Sequence, residues 1–213
     1  KLGLFALKLK DDQPRNLQSI SGILEERPLP NECYSIDYWI NQGCQDQELL
    51  DVIRYIVDER RMAWDWYDWH WSAAKGYRDR VILPFYQNRK IVGWTGRKIT
   101  PGKPKYLNES QPGYVFNIDR QLQSRKYVIV VEGQFDAIAI DGVAIMRNNA
   151  NLAQSARISA LKKEVILVPD RDRPGAELIG SALEYGWSVS IPPWESDIKD
   201  VADAVKRYGR LYT

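Results

Sequence analysis

Two hundred and thirteen residues suffice for one large domain or two small ones, and a chain this long buries roughly 70% of its unfolded surface without needing a disulfide. With 44% hydrophobic residues, 27% charged residues and a mean hydropathy of -0.45, it reads as an ordinary globular protein, and no run approaches the ~20 apolar residues of a membrane span. One histidine, His70, and two cysteines, Cys33 and Cys44, make a zinc site and Ser-His-Asp hydrolysis poor expectations, and no zinc is expected in this chain. With no secretory signal, the two cysteines read as reduced packing thiols of a cytoplasmic protein. The start at Lys1 rather than methionine leaves room for flanking domains.

In chain order, Leu2 to Leu9 alternate as a strand would, and the sequence then turns polar up to Pro28 and Pro30. From Cys33 to Asp58, Ile36, Trp39 and Ile40, then Leu49, Leu50, Ile53 and Ile56, recur at helical spacing and predict two short helices broken at Gly43. Trp64, Trp66, Trp69 and Trp71 are expected to pack between subdomains, with a stacking surface the weaker reading. From Arg80 the period becomes that of strands. VILPFYQ, a polar turn at Asn88-Arg89 and IVGWTGRKI predict a hairpin, followed by the Pro- and Gly-rich loop PGKPKYLN.

The formal charge of +2 is unevenly spread. Between Gly76 and Ser110 there are eight basic residues, including Arg80, Arg97, Lys103 and Lys105, against the two acids Asp79 and Glu109, interleaved with Tyr77, Tyr86, Trp94 and Tyr106. That mixture suits a surface that neutralises phosphates and stacks bases.

Beyond Ser110 the nearly continuous apolar runs KYVIVVEG and EVILVPDRD, and the strands GVAIMRN and WSVSIPPW, alternate with helix-like segments. Strands apolar on both faces indicate a parallel sheet covered by helices on both sides, with a domain boundary near residue 120. Residues 1–119 then form a smaller α+β basic subdomain, and 120–213 an α/β domain. Ligands of such sheets sit beyond the carboxyl ends of the strands, where one run ends in Glu132 and another in Asp170 and Asp172. If those strands are neighbours, three carboxylates meet and need a hard divalent cation, Mg²⁺ or Mn²⁺. The competing structural reading has Asp170 and Asp172 cap the helix that begins at Pro174, with Glu132 a solvated strand end.

These residues carry a resemblance. VEGQFDAIAI resembles the Glu motif of the TOPRIM superfamily and VPDRDRPG its Asp-x-Asp motif, while SDIKDVADAVKRYG is similar to the Lys-Asp motif that closes the domain in phage and bacterial primases. The segment RVILPFYQNRKIVGWTGRKI, with PKYLN after it, is similar to the basic subdomain of DnaG-type primases, so that the likeness spans about residues 77 to 210. It implies a TOPRIM-like parallel sheet preceded by a basic α+β subdomain, in a primase core of phage or bacterial origin. Glu132, Asp170 and Asp172 would then be catalytic and metal-holding, with Asp200 a further metal position. Arg80, Arg97, Lys103, Lys105, Tyr106 and Asn108 would contact nucleotide or nucleic acid. The implied activity is DNA replication chemistry: RNA primer synthesis from NTPs on a single-stranded DNA template by metal-dependent nucleotidyl transfer, beside a replicative helicase, in the cytoplasm (the host's, if phage-encoded). Asn148-Asn149-Ala150 departs from the small Gly-Thr step of many family members, and no helicase P-loop occurs. A TOPRIM nuclease or topoisomerase fragment and a catalytically silent nucleic-acid-binding scaffold are the alternatives.

Overall fold

The computed structural model describes residues 24–121, 124–146, 150–210 and 213. The strand expected over Leu2–Leu9 and the departure at Asn148 and Asn149 lie outside them. The first unit contains β1 (Cys33–Ser35), α1 (Ile36–Asn41), α2 (Gln47–Arg54), β2 (His70–Ser72), β3 (Arg80–Gln87), β4 (Lys90–Lys98) and β5 (Tyr106–Glu109). Its five strands form an antiparallel sheet in sequence order.

The two expected helices are α1 and α2, separated at Gly43, which has a φ of +69°. Asp46 starts α2 by accepting from Glu48 N at 3.0 Å, and the last turn widens into a π-turn over Tyr55–Glu59. The hairpin turns at Asn88 and Arg89, both with positive φ (+52° and +64°), as a two-residue turn that matches the strand twist requires. At Gly93, a Cβ would lie 2.3 Å from the Glu109 carbonyl of the neighbouring strand, so only glycine lets β5 approach there.

The second unit has β6 (Tyr127–Val131), α3 (Gln134–Ile140), β7 (Val143–Ala144), α4 (Leu152–Ser159), β8 (Glu164–Leu167), α5 (Arg173–Glu184), β9 (Ser188–Val189) and α6 (Val201–Tyr208). Its strands make a parallel sheet in the order β7-β6-β8-β9. Burial on both faces explains the continuous apolar runs. One face packs with α3 and α6 through Val131, Ile138, Val201 and Val205, and the other with α4 and α5 through Val128, Val130, Ile158, Leu167 and Leu178. The strand expected in WSVSIPPW shrinks to Ser188–Val189, because two prolines follow.

The two units share one core. Trp69, Trp71, Leu83 and Phe85 belong to the same buried cluster as Phe116, Phe135 and Ile138. Trp69 stacks on Phe135 with centroids 6.4 Å apart, so this member of the tryptophan run packs between the units, while Trp71 meets Trp39 within the first. Phe116 pairs with Ala144 beside β7, and Val115 is buried in the opposite-face cluster, so the chain engages the parallel sheet several residues before position 120.

Candidate active site

Parallel pairing of β6 with β8 puts their carboxyl ends side by side, and with them the acids that follow. The Asp170 backbone N–H donates to Glu132 Oε1 at 3.2 Å. Gly175 is forced by crowding, since a Cβ there would lie 2.0 Å from the Asp170 carbonyl oxygen. Asp136, in the first turn of α3, is buried and accepts from Ala202 N at 2.8 Å, which ties the start of α6 to the start of α3. Asp200 and Asp172 both cap helices. Asp200 accepts from Asp203 N at 2.8 Å, and Asp172 accepts from Gly175 N at 3.0 Å. For Asp172 the capping reading is therefore correct, whatever else its carboxylate does.

The cluster is electrostatically crowded. Burial, and then the charges of Glu132 and Asp200, push the Asp170 carboxyl up to about 7. Burial also raises Glu132, and burial with Asp200 and Asp170 raises Asp136 well above the carboxylate range. The cation among them is Lys199, whose Nζ lies 2.8 Å from Asp172 Oδ2 and 3.9 Å from Asp170 Oδ2. Its hydrogen bond holds Asp172 below the usual range. Oxygen-only donors with more negative charge than one ammonium can neutralise suit a hard divalent cation. Among the described residues, however, no three acids already stand as a ready ligand set.

A cavity of about 350 Å³ opens over this edge. Its acidic wall is Glu132, Asp136, Asp170 and Asp200, and its opposite wall comes from the antiparallel sheet: Arg97 of β4 and Lys105, Tyr106 and Asn108 at β5. Arg97 and Tyr106 are cross-strand partners, with the guanidinium 4.9 Å from the ring centroid. The nearby Arg97 charge, and then burial, lower Lys105. Asn108 Oδ1 accepts from the Thr95 hydroxyl.

Not every expected residue reaches this cavity. Arg80, expected to touch nucleic acid, is only 4% exposed, and its guanidinium donates to the carbonyls of Gly96 (3.1 Å), Pro104 (3.0 Å) and Gly76 (3.4 Å). An interior guanidinium spent on main-chain acceptors positions the Pro104–Tyr106 loop; the sequence shows the arginine but not the carbonyls that claim it. Lys103 is exposed and outside the cavity lining; Asp172, half-buried and turned toward Lys199, is also outside it. Three charged lining residues were not picked out from sequence: Asp136, Lys199 and Arg60. Asp136 falls inside the VEGQFD motif and Lys199 inside SDIKD, so both were within reach. Arg60 lies in a run of charges, DERR, that carries no motif.

The fold and the cavity define a class: an α/β core in which the acidic end of a parallel sheet faces a basic antiparallel sheet. No family model matches the chain. It is 28% identical over 125 residues to a DNA primase of Synechococcus elongatus, 32% over 153 residues to one of Thermotoga maritima, and 25% over 194 residues to one of Clostridium acetobutylicum. These alignments cover 50%, 62% and 82% of the chain but only 18%, 27% and 30% of the relatives, so the chain spans less than a third of their length. Among solved structures it superposes on a DnaG catalytic core with a TM-score of 0.62 at 18% identity, covering 83% of this chain and 76% of that one. A DnaG primase catalytic domain bound to ssDNA gives 0.62 at 17% identity, covering 80% and 72%, and the E. coli primase catalytic core 0.60 at 17%, covering 80% and 73%. The chain is a relative of the DNA primases and has the fold of the DnaG-type catalytic core.

Proposed function

We propose that the chain is the catalytic core of a DNA primase, making short RNA primers on single-stranded DNA by metal-dependent nucleotidyl transfer. The observation that carries this reading is the cavity itself: carboxylates at the carboxyl edge of the parallel sheet lie across from Arg97, Lys105 and Tyr106 in a primase-core fold. Relatives named DNA primase, and a structural neighbour captured with ssDNA, support the template assignment. A replicative helicase partner, a phage or bacterial source and a cytoplasmic location rest on the resemblance alone. No described helix is long and apolar enough to cross a membrane. The division near residue 120 belongs to the same reading: the first unit supplies the basic wall and the second, a TOPRIM-like unit, the acids.

Glu132, Asp170 and Asp200, with Asp172 from the rim, would hold Mg²⁺ or Mn²⁺, which when bound supplies charge to stabilise a transferring phosphoryl group. The protein's own contribution is positioning. Asp136 fixes the relative placement of α3 and α6, the capping bonds fix Asp172 and Asp200, and Arg97 and Lys105 offer charge to phosphate across the cavity. Lys199 holds Asp170 and Asp172 together electrostatically in the protein alone.

The test is incubation with single-stranded templates, labelled NTPs and Mg²⁺ or Mn²⁺. Short ribonucleotide products that disappear in the Glu132→Gln protein are expected. Degradation of the DNA with no ribonucleotide incorporated would replace this reading with a nuclease.

A further inference from the structure

Arg60 follows the π-turn at the end of α2, on an element that carries none of the motif residues. Its guanidinium carbon lies 4.7 Å from the Phe135 ring centroid and 5.3 Å from that of Tyr55, and its Nε donates to the Tyr55 hydroxyl at 2.8 Å. Among the described residues no hydrogen bond or ion pair engages its two Nη groups. Stacking and one hydrogen bond thus hold the fork rigid and leave its outer donors free, the state in which arginine binds phosphate at least entropic cost.

Arg60 and Arg97 line not only the acidic cavity but also a second one, of about 450 Å³, that continues between the 55–60 segment and α6. Lys206 and Asp203 line that second cavity and a third of about 490 Å³, which reaches Arg61. Each cavity thus shares lining residues with the next, so a ligand gripped at Arg60 has adjoining space beyond what a single nucleotide fills. Lys206 is exposed and makes no ion pair among the described residues. Two carboxylates, Glu59 and Asp203, also face the second cavity.

We infer that single-stranded nucleic acid leaves the acidic cavity over Arg60 and runs in the groove between residues 55–61 and α6, with Arg60 and Lys206 holding successive backbone phosphates. This rests on the reading of the chain as a primase core. It adds a strand path formed by residues outside the basic hairpin and the acidic motifs. Asp203 opposes the strand, so its removal and the removal of Lys206 act in opposite directions.

The experiment measures binding of a fluorescent oligo-dT by anisotropy across a salt series, together with binding of a fluorescent NTP in Mg²⁺. The Arg60→Gln, Lys206→Gln double variant should lower the slope of log affinity against log salt by about 1.4, at about 0.7 per phosphate contact. Asp203→Asn should tighten oligo-dT binding, and Lys206→Glu, on an exposed position that does not bear on folding, should weaken it. NTP binding by Lys206→Glu should match the parent. Unchanged oligo-dT affinity in Lys206→Glu and Asp203→Asn, with loss in Arg97→Ala, would overturn the groove while leaving the primase reading intact. Loss of NTP and oligo-dT binding together in Lys206→Glu would also overturn it, by placing that residue at the nucleotide. A parent protein that binds neither ligand at low salt would end both readings.

Discussion

Replacing Asp170 by asparagine keeps its shape but removes a charge that the folded protein resists. Burial among Glu132, Asp200 and Asp172 raises this carboxyl from 3.8 to about 7, while the unfolded chain restores the ordinary value. Well below pH 3.8 the group is protonated in both states and has no effect. Between about 4 and 7 the folded state binds the extra proton, so stability falls as pH rises, and above 7 the whole penalty is present. A shift of about three pKa units corresponds to a ceiling of about 4 kcal/mol at 1.36 kcal/mol per unit. Solvent at the cavity mouth and Lys199 at 3.9 Å reduce it, and we expect about 1–3 kcal/mol. Asp170→Asn should therefore raise the melting temperature by about 2–10 °C at pH 8, and by almost nothing at about pH 2.5. Calorimetry in the absence of divalent ions reads this directly. In the parent, Mg²⁺ should recover much of the same gain at pH 8 by mass action, and the variant should respond less. A variant that melts at or below the parent temperature at pH 8 would refute the account of a carboxylate cluster short of positive charge.

Arg80→Ala should destabilise the fold by about 2–5 kcal/mol, because three carbonyls lose their donor in the interior, and chemical denaturation would show it; a stable variant with weakened DNA binding would return Arg80 to the surface role expected from sequence. Asp172→Ala should cost about 1 kcal/mol through the lost cap of α5, whereas Asp172→Asn keeps the cap, so abolished primer synthesis in the asparagine variant at parental stability isolates the charge. The Arg97→Ala, Lys105→Ala pair should lower the salt slope of oligonucleotide binding by about 1.4, and an unchanged slope would make the basic wall a solvated face.

Local pattern determined much of this protein before any folding was considered. Short, β-branched apolar runs without alternation pointed to strands covered on both faces, and a hairpin followed from two runs flanking Asn88-Arg89. Glu132 and Asp170 stand at adjacent strand ends because parallel sheets gather such ends on one edge, and the sequence marks where each run stops. What the side chains do there was decided by tertiary structure. Arg80 and Arg97 are indistinguishable in the sequence of the hairpin, yet one is buried and closed around three carbonyls while the other, half-buried, lines a cavity. Asp172 is set apart from Asp170 by a lysine 27 residues further on. Arg60 enters the site only because Phe135, 75 residues further on, joins its near neighbour Tyr55 in forming the surface on which its guanidinium lies. Periodicity records which face of an element is dry, a property of neighbours in sequence. The partner that claims a charged group is a property of neighbours in space, and packing of the two units against each other sets it.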